Sequence, residues 1–391
     1  MSHRDSTLPY WRLSAFYFFW ACVIGALMPY WGLYLQQLGY DERAIGSLMA
    51  ILMGTQVAAP YLWGYLADRS GRRMGLVRLG VWLSLFCFAG VFFVEGFAAL
   101  ALTLLGFGFF WNAMAPQFEA VTLSYLGEQP GRYSHIRLWG SIGFILTVIA
   151  LGRLLDIAGP GLLPGFIAAM LLLVIAASYA IGDHRVATGV PISGGFLAVL
   201  KQPPVLIFFL TCFLMQASHG PYNTFFSIYL ARHDYSATAI GLLWSLGTAV
   251  EVGVFLLMHR WLNRYSLRSI LLLSLLLAAL RWGLIGAFPE QLAVILFAQC
   301  LHGATFGSFH AAAIESVRRH FPGALAGQGQ AFYSSASIGL GNAVGAFYSG
   351  LSWQGLGAFQ TFGIAALVAL GGAWLYWRCD ERVAQPIGEA Y

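Results

Sequence analysis

The segment GYLADRSGRR, residues 64–73, joins two long apolar runs at residues 44–66 and 75–94. An apolar stretch of about 20 residues crosses a bilayer as a helix, because only a helix satisfies its own backbone hydrogen bonds there. The segment is therefore a short charged loop between two predicted membrane-spanning helices.

Twelve apolar runs of this length follow one another along the chain, and they leave no room for a soluble domain. A β-barrel would show shorter segments of alternating hydrophobicity instead. The predicted fold class is therefore an all-α integral membrane protein with twelve transmembrane helices. The runs cover residues 11–36, 44–66, 75–94, 97–121, 134–153, 161–182, 203–230, 238–259, 268–287, 291–315, 327–351 and 356–377.

The composition agrees with a membrane protein. Of 391 residues, 59% are hydrophobic and only 9% are charged, whereas about a quarter of the residues of soluble domains are charged. So few charges cannot cover a soluble protein of this size, which excludes an ordinary cytosolic enzyme, a DNA-binding protein and a disordered chain. The five cysteines are scattered without metal-ligand or disulfide spacing. We expect no metal site, and no cleavable signal peptide because the first apolar run is too long.

The distribution of basic residues predicts the orientation. Of the 21 Lys and Arg residues, 17 lie on the side of the N-terminus if the chain crosses the membrane twelve times. Cytoplasmic loops carry this excess of positive charge, so both termini are expected in the cytoplasm of a bacterial inner-membrane protein. The net charge of +5 is thus a sign of topology and not of nucleic-acid binding.

An internal repeat divides the chain into two halves. Ala44-Ile45-Gly46 recurs as Ala239-Ile240-Gly241, Glu119 as Glu315, and Ser141-Ile142-Gly143 as Ser337-Ile338-Gly339, at a shift of 195–196 residues. Such repeats build transporters in which two bundles rock around a site near the bilayer midplane. The predicted organisation is two pseudo-symmetric six-helix bundles, residues 1–182 and 203–378, with a cytoplasmic central loop at 183–202 and a cytoplasmic tail at 379–391.

These features resemble the major facilitator superfamily. The segment at residues 64–73 is similar to the signature loop of that superfamily, and its degenerate copy lies at residues 260–268. The resemblance implies a secondary transporter that works by alternating access. It also implies that the loop residues Asp68, Arg69, Arg72 and Arg73 take part in gating on the cytoplasmic side.

A narrower resemblance is to the 3-phenylpropionate transporter group, relatives of lactose permease and the nucleoside–proton symporters. The motifs that carry it are Arg-Leu-Trp-Gly-Ser at 137–141, the stretch from Gly241 to Glu251, Arg-Trp-Gly at 281–283, and residues 299–310. This resemblance implies proton-coupled uptake of a small organic solute, such as an aromatic carboxylate.

Three ionisable residues lie near the middle of spans in the second half: Glu251, Arg281 and His302. Ionisable groups inside a bilayer are expensive, so each is a functional candidate. A carboxylate that exchanges a proton with a neighbouring cation suits proton coupling, and an arginine can bind a substrate carboxylate through two hydrogen bonds. The alternative is a buried salt bridge that only holds three helices together.

Further residues are candidates for substrate binding because they are polar or aromatic and lie near the midplane. Pro221 should break its helix beside His219 and free backbone carbonyls. Aromatic rings there could stack on an aromatic or sugar ring, although packing is the alternative for each. The predicted substrate-binding set is Arg281, His219, Tyr222, Asn223, Trp20, Asn112, Trp244, Trp282 and His310.

The repeat-related acids Glu119 and Glu315 lie near the cytoplasmic ends of their spans. We expect them to form structural or gating contacts with nearby arginines, and Arg137 is the expected partner of Glu119. Direct contact with the substrate is the alternative. The predicted partners of the protein are a small-molecule substrate, protons and the lipid bilayer, without nucleic acid and as a monomer.

We expect no enzymatic activity and no cofactor, because there is no P-loop and the proton gradient supplies the energy. Three other functions stay open: a proton-driven exporter of drugs or metabolites, a nucleoside or sugar symporter, and a membrane receptor that does not transport. The coupling ion could also be sodium.

Overall fold

A computed structural model of the protein describes residues 8–127, 132–182 and 195–379. Across these residues the chain is helical and contains no strand. The long helical runs are α1 (Tyr10–Gln37), α2 (Glu42–Ser70), α3 (Arg73–Phe92), α4 (Phe97–Leu126), α5 (Tyr133–Ala158), α6 (Pro160–Tyr179), α7 (Pro203–Ala231), α8 (Ala237–Arg264), α9 (Leu267–Ala287), α10 (Leu292–His320), α11 (326–356) and α12 (Ala358–Arg378).

Eleven of these runs are long and apolar enough to cross a membrane. The exception, α11, is a continuous run of three segments, Ala326–Phe332, Tyr333–Gly339 and Leu340–Leu356. Its many Gly, Ser, Gln and Asn residues lower its hydropathy. It packs closely against α2 and α7, so protein covers much of its polar surface. The predicted all-α membrane fold with twelve helices is confirmed.

Some predictions concern residues that the structure does not describe. Arg4, Arg185 and Arg382 of the charge pattern lie outside the described residues, as do most of the central loop and of the C-terminal tail. A short helix, Phe196–Leu200, lies in the described part of the predicted central loop. The boundaries of the two halves stay a prediction.

Short polar turns start several helices. The side chains of Asp41, Ser236 and Ser266 accept hydrogen bonds from backbone N–H groups in the first turns of α2, α8 and α9. Such caps satisfy N–H groups that have no partner within the helix. In α7 the α-helix ends at Ser218 and begins again at Gly220, which confirms the break predicted from Pro221.

The two halves meet through α1 with α7, α2 with α11, and α5 with α8. Glycines allow the closest approach: a Cβ atom on Gly46 would lie 2.6 Å from Cα of Gly350 and 2.8 Å from the carbonyl oxygen of Ala346. Small residues of this kind let helix backbones touch inside a membrane.

The contacts between the halves are concentrated at one end of the molecule. We call the helix ends that carry Arg73, Arg137, Arg264 and Arg318 the basic side, and the other end the opposite side. At the opposite side, Glu42 pairs with Arg232. Gln354 Nε2 donates to Asp41 Oδ2 at 3.0 Å.

Asp156 of α5 makes a further contact between the halves at the opposite side. It accepts hydrogen bonds from the backbone N–H groups of Ala237 and Thr238 of α8 at 2.7 and 3.1 Å. Near mid-depth, Ser335 donates to the carbonyl oxygen of Val57 at 2.9 Å. Among the described residues, no hydrogen bond joins the halves at the basic side, so the protein is closed at the opposite side.

Candidate functional site

Glu251 of α8 and His302 of α10 form the centre of the candidate site. Oε2 of Glu251 lies 3.5 Å from Nε2 of His302, and the two side chains are 19% and 13% exposed. Glycines, which have no side chain, allow α8 and α10 to approach closely here. A Cβ atom on Gly307 would lie 3.2 Å from Cγ of Glu251, and one on Gly247 would lie 3.4 Å from the His302 ring. The predicted acid and imidazole are therefore in contact and partly accessible.

A three-ring stack continues from His302 toward the basic side. The rings of His302 and Phe306 are nearly parallel with centroids 5.5 Å apart, and Phe306 stacks on His310 at 6.1 Å. This stretch contains a π-helical segment, Gly303–Ser308, a feature that is frequent at functional sites. Nδ1 of His302 is buried and has no hydrogen-bond partner, whereas Nδ1 of His310 lies 3.1 Å from the hydroxyl of Tyr333.

Arg281 of α9, predicted to bind a substrate carboxylate, is not accessible to a substrate in this conformation. Its exposed fraction is 0%. Its Nε donates to the carbonyl oxygen of Ala298 at 3.0 Å, Nη2 to Gln299 Oε1 at 2.9 Å, and Nη1 to Thr305 Oγ1 at 3.4 Å. It makes no ion pair with Glu251 among the described residues. Arg281 therefore ties α9 to α10 behind the site.

The aromatic residues predicted around Arg281 form a packed wall. The Arg281 guanidinium carbon lies 4.1 Å from the ring centroid of Tyr222 and 4.7 Å from that of Trp282. Trp244 packs on Tyr222 at 4.7 Å. His219 meets Trp282 edge to face at 4.8 Å. All of these side chains are buried, so they line no accessible space in this conformation.

Two polar residues of α7 have different surroundings. Nδ1 of His219 lies 2.8 Å from the carbonyl oxygen of Met215, and its Nε2 is buried without a partner. Asn223 is half-buried and donates to Asn342 at 2.9 Å, which joins α7 to α11.

The first half contributes Arg137 to the candidate site. Its guanidinium carbon lies 5.2 Å from the Tyr17 ring and 5.4 Å from the Trp20 ring. Trp20 stacks on Trp111 at 6.1 Å. Asn112 donates to Thr55 Oγ1 at 2.8 Å and to the carbonyl oxygen of Leu52 at 3.1 Å, and so joins α4 to α2.

The expected pair of Glu119 with Arg137 is wrong in this conformation. Glu119 instead accepts a hydrogen bond from the hydroxyl of Tyr133 at 2.8 Å. The Arg137 guanidinium lies against the rings of Tyr17 and Trp20 instead. The spacing of consecutive spans could not show this, because the direction of a long side chain depends on the rings against which it packs.

The other predicted gating residues make contacts within their own half. Asp68 pairs with Arg73, which also donates to Gln117 at 2.7 Å. Arg69 donates to Tyr65 at 3.1 Å, and Arg72 is exposed. Glu315 pairs with Arg318 and Arg319 of its own helix at 2.7 and 2.9 Å. These groups form no bond between the halves among the described residues.

The polar contacts at the opposite side could not be predicted from the sequence. Glu42, Arg232, Asp156 and Gln354 all bridge the two halves. Their only signal was their place at predicted helix ends, which does not identify a partner on the other half. Among the described residues, no group of three or more His, Cys, Asp and Glu side chains could hold a metal ion.

Comparisons with known proteins give the family context. A family model described as "MFS_1 like family" matches residues 10–364. A protein of Escherichia coli (strain K12) named "Probable 3-phenylpropionic acid transporter" is 31% identical over 372 residues, which cover 92% of this chain and 95% of that protein. The maltose permease of Geobacillus stearothermophilus is 28% identical over 374 residues, 91% of each chain.

The fold is shared with a solved transporter. The crystal structure of the nucleoside transporter NupG superposes with a TM-score of 0.83 over 94% of this chain and 98% of that chain, at 18% identity. At this level of identity the match concerns the fold alone.

Proposed function

The chain belongs to the MFS_1 like family of major facilitator transporters, and from this premise we propose that it is a proton-coupled symporter that imports a small organic solute. It is a membrane transporter and not an enzyme. Beyond membrane transport itself, we propose the coupling ion, the direction of transport and the class of solute. It also places a monomeric protein in a bacterial inner membrane with the basic side in the cytoplasm.

The contact between Glu251 and His302 is the observation that carries the proposal. Charged groups inside the bilayer are costly and are retained for function. A carboxylate and an imidazole 3.5 Å apart can hold a shared proton and lose it as a pair. Because both side chains are partly exposed, that proton can be exchanged with water in the space between the halves.

The closed opposite side supports alternating access. In this conformation the halves touch at the opposite side, and no hydrogen bond between described residues joins them at the basic side. With the basic side in the cytoplasm, the protein is inward-facing and ready to release cargo. A rocking motion of the halves would expose the same site on the other side of the membrane. Glu251 would take up its proton there.

An aromatic carboxylate is the proposed solute, because the 31% identical relative is named for phenylpropionic acid and because the half-buried ring of Phe306 stacks on His302 at the centre of the candidate site. A sugar is the second candidate. The maltose permease is 28% identical, and the half-buried ring of Trp20 could also pack on a sugar ring.

Transport in proteoliposomes with an imposed pH gradient tests the proposal. Labelled 3-phenylpropionate, maltose and a nucleoside are offered to purified protein in vesicles that are alkaline inside. We expect 3-phenylpropionate to accumulate well above the level in protein-free vesicles, which take up a permeant weak acid passively, and a proton ionophore to abolish the accumulation. Outward pumping under the reversed gradient alone would indicate an exporter. Accumulation that follows a sodium gradient instead of a pH gradient would overturn proton coupling.

A further inference from the structure

The exposed surface of α9 and α12 at the basic side carries arginines and tryptophans that the candidate transport site does not use. Trp374 and Trp377 lie at the end of α12 and are 59% and 60% exposed. The guanidinium carbon of Arg378 lies 5.7 Å from the ring centroid of Trp374 and 5.6 Å from that of Trp377. In the first turn of α9, Nη2 of Arg268 donates to the carbonyl oxygen of Trp377 at 2.5 Å. We call these four residues the α9–α12 patch.

The positive charge of the α9–α12 patch is not neutralised by any described residue. Neither Arg268 nor Arg378 forms an ion pair within the described part of the chain, and no residue there accepts a hydrogen bond from Arg378. Arg378 is exposed and Arg268 is half-buried. A guanidinium presents a fork of N–H donors that matches a phosphate group. The patch therefore offers donors and charge to an anion from outside the protein.

A stripe of exposed apolar side chains leads along α12 to the patch. Leu367, Leu370, Trp374 and Trp377 follow one another at spacings of three or four residues, which places them on one face of the helix. Their exposed fractions run from 42% to 69%. In a membrane this face contacts acyl chains, and tryptophan rings are enriched at the depth of the headgroups. A ligand of the patch thus meets apolar surface and positive charge together, which fits a phospholipid better than a free phosphate ion.

The position of Arg378 selects the charge of the headgroup. The face of an indole ring attracts quaternary amines such as choline. Here Arg378 already lies over the rings of Trp374 and Trp377, so a second cation is repelled. A headgroup that has a phosphate and no amine is attracted by both arginines. Basic clusters at the cytoplasmic ends of membrane helices bind anionic lipids for this reason.

The corresponding helices of the first half, α3 and α6, have a different arrangement. Arg78 of α3 lies over the ring of Tyr179 at 5.2 Å, but its Nη2 donates to the carbonyl oxygen of Ile181 at 2.7 Å. This arginine satisfies a carbonyl group beyond the end of α6, as basic side chains often do at helix ends. In the second half Arg268 has that role, and Arg378 is an additional charge.

We propose that the α9–α12 patch binds the phosphate of an anionic phospholipid, with the acyl chains of the lipid along the exposed stripe of α12. The bound lipid neutralises two arginines that come from two helices, so it stabilises the packing of α9 against α12. This inference goes beyond the proposed function, because it concerns neither the transported solute nor the coupling ion.

Native mass spectrometry of the purified full-length protein in detergent measures the binding. The probes are phosphatidylglycerol, which is anionic, and phosphatidylcholine with the same acyl chains. We expect the wild type to bind phosphatidylglycerol more tightly than phosphatidylcholine. In Arg378→Gln phosphatidylglycerol binding should weaken about fivefold, the usual contribution of one arginine at an anionic surface, while phosphatidylcholine binding changes little. Arg378→Lys keeps the charge and should stay close to the wild type.

Arg264→Gln is the matched control. Arg264 is exposed on the same side, and its guanidinium carbon lies 5.7 Å from the ring of its neighbour Tyr265. It therefore makes a similar contact with an aromatic ring outside the patch, and its replacement should leave lipid binding unchanged. Thermal unfolding gives a second readout: added phosphatidylglycerol should raise the Tm of the wild type and of Arg264→Gln more than that of Arg378→Gln. Unfolding without lipid shows that each variant is folded.

Several results would overturn the site. Equal losses in Arg264→Gln and Arg378→Gln would indicate a general attraction of the basic side for anionic lipids. Equal affinity of the wild type for both lipids, or displacement of the bound lipid by inorganic phosphate, would also contradict it.

The acids Asp380 and Glu381 follow Arg378 in the sequence, outside the described residues. If phosphatidylglycerol bound only after Asp380→Asn and Glu381→Gln, the tail and not a lipid would be the partner of the patch. None of these variants changes Glu251 or His302, so loss of the lipid site would leave proton coupling untouched.

Discussion

Nε2 of His302 on α10 lies 3.5 Å from Oε2 of Glu251 on α8, and both side chains keep a small exposed surface inside the bundle. The glycines of the two helices make this contact possible, because Gly247 faces the His302 ring and Gly307 faces Cγ of Glu251. Proton coupling in the proposed transport cycle depends on this pair. Arg281, the third charged residue at this depth, stabilises the wall behind it.

Replacement of Arg281 by methionine should destabilise the protein. It removes three hydrogen bonds to α10, each contributing about 0.6–1.7 kcal/mol in membrane proteins, so the loss should be about 2–5 kcal/mol. Thermal unfolding in detergent measures it, with Arg264→Met as the exposed control. If Arg281→Met unfolds like the wild type but loses acid binding, Arg281 is a substrate ligand and not a structural tie between α9 and α10.

Replacement of Asp156 by alanine should shift the protein toward a state that is open at the opposite side. Asp156 caps the first turn of α8 from the other half of the molecule, and loss of a helix cap costs about 0.5–2 kcal/mol. Spin labels on the exposed residues Glu95 and Glu290, in a background without native cysteines, report the distance across this side. We expect a new population at longer distance.

Asp234→Asn is the control for this experiment, because Asp234 is exposed and lies on the same side. Asparagine also tolerates its left-handed backbone, φ 62°. An unchanged distance distribution in Asp156→Ala would contradict a role for this cap in closure.

Replacement of Gly46 by valine should prevent closure of the opposite side altogether. Even a single Cβ atom would lie 2.6 Å from Cα of Gly350, closer than atoms can pack, so α2 and α11 must separate. Uptake should be lost while substrate binding remains, and the Glu95–Glu290 label distance should increase. Gly165→Val, where nothing lies within 4 Å of an added Cβ, should transport normally. Normal uptake by Gly46→Val would contradict the proposed contact.

The number of spans and the break in α7 could be predicted, because each follows from local rules. Long apolar runs must be helical in a bilayer, and Pro221 cannot continue the hydrogen-bond ladder beside His219. The ring stack from His302 to His310 depends instead on a π-helical segment. Its sequence, Gly-Ala-Thr-Phe-Gly-Ser, has no unique signal for that conformation.

The candidate site was harder to predict than the fold, because depth along a helix does not give the direction of a side chain. The sequence places Glu251, Arg281 and His302 at the same predicted depth in the bilayer. In the structure only Glu251 and His302 are in contact. Arg281 packs under Tyr222 and Trp282. Conversely, the position of Arg137 close to a helix end predicts a gating contact with Glu119, whereas in the structure its guanidinium packs against Tyr17 and Trp20.

Proton-driven uptake by Glu251→Gln in proteoliposomes is the measurement that tests the central claim most directly. The glutamine keeps the shape of the side chain and cannot release a proton. We predict that accumulation driven by a pH gradient disappears, while exchange of labelled for unlabelled solute across the membrane continues, and that Glu95→Gln behaves like the wild type. Full pH-driven accumulation by Glu251→Gln would exclude this carboxylate as the coupling group and contradict the account.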